Sequence, residues 1–174
     1  MPTIGVVFTI PEPWGSQLQD YRRGLGDATA DLIPSHITLV PPTEATDEQV
    51  ERLREHLRLV AGKHPRFRVH LRGTGTFRPT SPVVFVTVAG GIGECEQLAG
   101  DLRDGPLDVV LNFPYHPHVT VAHNLDDAAL DRAFDDLVDI DAAFELERFH
   151  LYVQDPVEGW ILTDDFALAE RAGA

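Results

Sequence analysis

Ser35-His36-Ile37-Thr38-Leu39-Val40-Pro41 in the first half of the chain is nearly repeated by Pro117-His118-Val119-Thr120-Val121-Ala122 in the second. Each run reads histidine, β-branched residue, threonine, aliphatic residue. β-branched side chains favour extended backbone, so both runs are expected to be short strands. Side chains alternate faces along a strand. His36 and Thr38 therefore share one face and Ile37 and Leu39 the other, and His118 with Thr120 divides in the same way from Val119 and Val121. One face can enter a core while the other offers an imidazole and a hydroxyl to a cleft.

Working outward from the runs, the order of elements also repeats. Thr3–Ile10 reads as a buried strand, followed by a weakly spaced helix over Ser16–Ala30 that Pro34 stops. The strand Ser35–Val40 is expected to close at Pro41-Pro42, and Thr46 to cap an amphipathic helix with Val50, Leu53, Leu57 and Val60 on one side. Phe67–Thr76 and Val83–Ala89 look like an antiparallel pair joined by Arg78-Pro79-Thr80-Ser81-Pro82. Helix resumes over Ile92–Asp104; then come a strand Tyr115–Ala122, an acidic helix Asp126–Val138, and a last hairpin of Phe144–Asp155 with Glu158–Phe166. Hairpins and helices mixed in this way argue for an α+β fold. With 174 residues, 43% of them hydrophobic, and no flexible linker, the chain is expected to form a single bilobal domain over residues 1–174.

Two imidazoles facing one ligand suit phosphoryl chemistry. An unperturbed histidine has a pKa of about 6.5, so one ring can accept a proton while the other donates one. The hydroxyls of Thr38 and Thr120 can donate to non-bridging phosphate oxygens as charge gathers there. His36 and His118 are thus the candidate acid–base pair, and the scheme requires neither metal nor cofactor. Phe77 and Tyr115 are candidates to stack on a base, and Arg78 to meet a phosphate.

The composition narrows the partners. The formal charge is −14, and Lys63 is the one lysine among 14 basic residues. Binding a long duplex rests on many phosphate contacts from Lys and Arg, so that ligand is excluded as an expectation. A single phosphate held by one or two arginines is compatible. No run of about 18 apolar residues and no signal-type leader is present, which points to a cytoplasmic protein without a membrane partner. The single cysteine, Cys95, is expected to be structural. Trp14 and Trp160 are expected in the core or where the lobes close, and the aspartates of residues 126–136 on a solvated face.

On these residues the sequence resembles the 2H phosphoesterase superfamily, especially its bacterial branch of RNA 2',3'-cyclic phosphodiesterases, also called 2'-5' RNA ligases. The resemblance extends to Ile4–Ile10, to Gly75-Thr76-Phe77-Arg78-Pro79 with Val83–Val86, and to Leu151-Tyr152, Gly159-Trp160 and Phe166-Ala167-Leu168. It implies two lobes with an antiparallel sheet in each, related by a pseudo-twofold axis, with the motifs facing across a cleft. It also implies His36 and His118 as the catalytic pair and Thr38 and Thr120 as phosphate-binding hydroxyls. The implied reaction opens a 2',3'-cyclic phosphate on an RNA end or a small cyclic nucleotide, and some members also join RNA ends through 2'-5' linkages. Relatives often carry an arginine near the position of His123, so the grip on an RNA phosphate is expected to be weaker here.

Two other readings use the same residues. His116, His118 and His123 invite a zinc or iron site, although strand parity turns His123 away from His118 and leaves His36-Thr38 unexplained. A nucleotide- or phosphate-binding module without turnover is the second, and the intact histidine and threonine of both runs speak against it.

Overall fold

The computed structural model describes residues 1–171. In chain order the elements are β1 (Thr3–Thr9), α1 (Trp14–Gly24), β2 (His36–Glu44), α2 (Asp47–Lys63), β3 (Phe67–Thr76) and β4 (Val83–Gly90). They continue with α3 (Ile92–Arg103), β5 (His118–His123), α4 (Asp127–Asp136), β6 (Asp141–Leu146), β7 (Arg148–Asp155) and β8 (Gly159–Ala167). The strands form two antiparallel sheets, ordered β2-β1-β7-β8 and β5-β4-β3-β6. This is the expected α+β architecture with a pseudo-twofold relation, in which β1-α1-β2-α2 corresponds to β4-α3-β5-α4. No helix among the described residues is long and apolar enough to cross a membrane.

Each motif strand is an edge strand, and the two edges lie against each other. The helices cross over: α1 touches β5 and α3 touches β2, so each lobe lends a helix to the other's motif strand. Ile37, Leu39, Val119, Val121 and Ala122 are fully buried in one hydrophobic cluster that also takes in Leu53 and Leu57 of α2 and Leu98 of α3. The Thr46 cap is realised in full, its side chain accepting from Gln49 N at 3.2 Å while the Gln49 amide oxygen accepts from Thr46 N at 2.8 Å.

Several boundaries differ from the sequence expectation, among them β5, which begins at His118 and not at Tyr115 because Pro114 and Pro117 interrupt the run before it. The strand β2 runs through Pro41-Pro42 to Glu44, because an edge strand has an unpaired side where a missing N–H costs nothing, and a register shift between the pairs Ile4–Thr43 and Val6–Val40 accommodates the extra residue. The stretch expected as one strand, Phe144–Asp155, is two: Phe144 pairs with Val69 of β3, Leu151 pairs with Val6 of β1, and the chain changes sheets at Glu147. Unbroken apolar alternation cannot reveal such a change, since both strands bury alternate residues.

The helix expected over Ser16–Ala30 stops at Gly24, and Gly26 follows with φ +85°. A left-handed glycine reverses the chain at little steric cost and ends the helix. The connection to β2 is then held by a buried ion pair. Arg22 donates through Nε and Nη2 to Asp27 at 3.0 and 2.8 Å, and Asp27 also accepts from the Thr29 backbone at 2.9 Å and hydroxyl at 2.6 Å. Burial alone would raise the Asp27 pKa, yet the Thr29 and Arg22 hydrogen bonds and the Arg22 charge hold it below the usual carboxylate range. Removing one partner strands a buried charge. Asp27→Ala is expected to destabilise the protein by about 3–5 kcal/mol in urea unfolding, and Arg22→Met with Asp27→Leu by less; a loss below about 1 kcal/mol for Asp27→Ala would show the pair to be dispensable.

Candidate active site

Strands β1 and β4 present the motif strands in the same register. His36, Ile37, Thr38 and Val40 lie opposite Thr9, Phe8, Val7 and Val6. His118, Val119, Thr120 and Ala122 lie opposite Thr87, Val86, Phe85 and Val84. In each strand one residue is skipped after the threonine, Leu39 in one and Val121 in the other. A bulge at that place lets two consecutive residues, Leu39-Val40 and Val121-Ala122, both turn into the core without rotating the histidine and threonine out of the cleft. A threonine, Thr9 or Thr87, stands across from each histidine; sequence reading gave no reason to single these out.

The two imidazoles are anchored alike. Nδ1 of His36 lies 2.8 Å from the Pro34 carbonyl, and Nδ1 of His118 lies 2.7 Å from the His116 carbonyl. A carbonyl can only accept, so Nδ1 carries the proton and the neutral ring keeps its lone pair on Nε2. Neither Nε2 has a hydrogen-bond partner among the described residues. Burial pushes His36 down to about 4, against an opposing contribution from the Pro34 carbonyl, and the charges of Arg22 and His118 add to the depression. Burial also lowers His118, opposed by its bond to the His116 carbonyl and assisted by His116. Both shifts favour the neutral ring.

Thr38 borders two cavities. A small one of about 90 Å³ lies beside His36 and is lined by Gly5, Val7, Tyr152 and Trp160. A larger one of about 520 Å³ joins Thr38 to His118 and is walled by His116, Phe77, Leu111 and Phe113. Phe77 stands with its ring centroid 5.0 Å from that of His118 and 4.5 Å from that of Phe85. Gly75 makes room for this cluster, since a Cβ there would lie 2.6 Å from Phe85 ring carbons.

The remaining sequence candidates separate. Tyr115 lines the larger cavity, but its hydroxyl donates to the Thr38 carbonyl at 2.8 Å and Arg103 sits 5.4 Å over its ring. It ties the loop before β5 to strand β2 across the lobes. Arg78 is turned away from the cavity, its Nη1 donating to Asp131 at 2.8 Å and its Nε to the Thr76 hydroxyl at 3.1 Å. Asp131 is thereby engaged and not merely solvated. His116 precedes the strand, which begins at His118 after Pro117, yet its ring lies 5.8 Å from that of His118. His123 pairs with Val83 at the far end of β5. No group of three or more metal-binding side chains forms among the described residues. Trp160 borders the small cavity, whereas Trp14 closes the lobes by lying 5.7 Å from Phe144. Cys95 is fully buried, and burial pushes its thiol up to about 12.

A family model for the 2'-5' RNA ligase superfamily matches residues 10–158. The chain belongs to that superfamily. This confirms at family level the resemblance carried by the doubled histidine–threonine motif. A protein of Bacillus cytotoxicus, provisionally named a phosphoesterase, is 32% identical over 158 residues, 88% of this chain and 91% of that one. One of Geobacillus kaustophilus, named in the same way, is 29% identical and covers 96% of each. Among solved structures, a Thermus thermophilus protein superposes with a TM-score of 0.71 at 19% identity, covering 98% of this chain and 100% of its own. Escherichia coli LigT in apo form gives 0.68 at 18% identity, with 97% and 99% covered, and LigT has also been crystallised with 3'-AMP, ATP and NADP+. At these identities the solved structures place the chain within the superfamily's fold.

The protonation states are directly measurable. In the ligand-free protein the His36 ring is expected to titrate near pH 4 by NMR. The folded pKa lies below the unfolded value of about 6.5, so the associated stability is present above about pH 6.5 and is lost as pH falls towards 4. The loss cannot exceed about 1.4 kcal/mol per pH unit for one ring, and His36→Gln is expected to reduce that slope. A His36 midpoint at or above 6.5 would show that the ring is not desolvated.

Proposed function

We propose that the protein is a metal-independent phosphodiesterase that opens 2',3'-cyclic phosphates with His36 as general base and His118 as general acid. The observation that carries this reading is the matched anchoring of the two rings, each with Nδ1 bound to the carbonyl two residues back, Nε2 free, and a threonine on the same strand face. Family membership and the nucleotide complexes of LigT support it.

The small cavity beside His36 has room for about three waters at roughly 30 Å³ each. His36 Nε2 takes a proton from one of them as its oxygen attacks phosphorus. The bond from phosphorus to the 3' oxygen breaks, and His118 Nε2–H delivers a proton to that oxygen, leaving a 2'-phosphate. Thr38 and Thr120 donate to the non-bridging oxygens, whose charge grows in the transition state. The proton on His118 arrives with the substrate, because a phosphodiester anion between the rings raises their pKa values. With a 5'-hydroxyl in place of water as the attacking group, the same steps form a 2'-5' linkage and free the 3' oxygen as its hydroxyl, which is ligation by the same groups.

Because both rings titrate below about 6.5 in the free protein, kcat/KM for a 2',3'-cyclic nucleotide is expected to peak between about pH 4 and 6.5. It should fall on the acid side as His36 gains a proton and on the basic side as His118 loses one. The kcat profile should lie at higher pH, since it reports the anion-bound state. A kcat/KM maximum above pH 7 would contradict the desolvated pair. His36→Ala and His118→Ala should each lower kcat by about 10²–10⁴, and Thr38→Val or Thr120→Val by about 10²–10³. A diester with an aryl leaving group needs no proton on departure, so it should restore much of the rate of His118→Ala and little of that of His36→Ala; the opposite pattern would exchange the roles. Activity is expected to persist in EDTA, and its loss with rescue by added metal would sink the mechanism.

A further inference from the structure

The walls of the cleft define its ligand further than the reaction does. Neither cavity that borders His36, Thr38 or His118 is lined by a lysine or arginine. Of the arginines nearby, Arg22 is bound to Asp27 and Arg78 to Asp131, and Arg103 lies over the ring of Tyr115 outside the lining of both cavities. The single lysine, Lys63, ends α2. The cleft is thus lined by no permanently charged cation, within a chain of formal charge −14. The larger cavity is apolar over Pro41, Phe77, Val110, Leu111, Phe113 and Pro114, and among these Val110 is 77% and Phe113 68% exposed. Thr80, Ser81 and Asn112 supply its polar edge. A volume of about 520 Å³ falls in the range that encloses one small-molecule ligand.

We propose that the substrate is a single nucleoside carrying one cyclic phosphodiester charge, its base seated against Phe77, Leu111 and Phe113, and that the cleft rejects oligomeric RNA. The proposal rests on the reaction proposed above. One negative charge is what two neutral imidazoles can meet by taking up a proton between them. Every further phosphate of an RNA strand would approach a chain of formal charge −14, and like-charge approach is unfavourable. The exposed ring of Phe113 in the 110–114 loop offers a base an aromatic face, which is worth most to a ligand without other anchors.

The test compares a nucleoside 2',3'-cyclic monophosphate with an oligoribonucleotide of about ten nucleotides ending in the same group, by turnover and by equilibrium binding, from about 50 to 200 mM salt. The mononucleotide is expected to have a kcat/KM at least about tenfold higher at low salt, with the gap narrowing as salt screens the repulsion. That salt response has the opposite sign to that of a cationic nucleic-acid binder, whose affinity falls with salt. Phe113→Ala is expected to lower kcat/KM for the mononucleotide about tenfold. A preferred oligomer, or oligomer turnover that weakens with salt, overturns the proposal while leaving the reaction standing. Binding in the expected order without turnover of either ligand overturns the reaction and supports the ligand class. Binding of neither ligand overturns both.

Discussion

Register on strands β2 and β5 governs the molecule, because a slip of one residue would put Ile37 and Leu39 in the cleft and His36 and Thr38 in the core. Two features resist that slip on each strand. The aliphatic residues of the inner face are fully buried, and the skipped residue after each threonine locks the strand to its neighbour at one place. Tyr115 adds a restraint between the lobes by binding the carbonyl of Thr38 itself. The carbonyls of Pro34 and His116, which orient the imidazoles, are positioned by the same register, since each lies just before its strand. Backbone pairing thus sets side-chain chemistry directly.

Much of this was legible in the sequence. The alternation in His36-Ile37-Thr38-Leu39 and His118-Val119-Thr120-Val121 predicted two-faced strands, and the strands β1, β3 and β4 and helices α2 and α3 fall within a residue or so of expectation. What failed was information that no local pattern carries. Nothing in Phe144–Asp155 marks Glu147 as the point where the chain changes sheets, and Pro41-Pro42 fits the end of a strand as well as the course of an edge strand. In the site, the alternation picked out His36, Thr38, His118 and Thr120. The partners of Arg78 and Tyr115 come from distant segments, so their engagement with Asp131 and Thr38 was invisible. Trp160 and Tyr152 border the small cavity through sheet register alone.

The electrostatics of the cleft follow from its construction. Placing both histidines on half-buried edges between two lobes desolvates them, and desolvation favours the neutral ring. Arg22, fixed by Asp27 behind the connection to β2, reinforces that state at His36. In the proposed mechanism the ligand's own charge is the switch that charges one ring, which makes proton uptake and substrate recognition a single event.

The order of strands in the β2-β1-β7-β8 sheet has a consequence for how the chain is made. The four strands β3 to β6 come from one continuous stretch, residues 67–146, and can pair as soon as they have all been synthesised. The other sheet cannot: β1 and β2 emerge first, but β1 has no neighbour on its far side until β7 appears after residue 148. During translation the amino-terminal pair therefore waits with an open hydrogen-bonding edge, and the last strands, β7 and β8, are the ones that close the first.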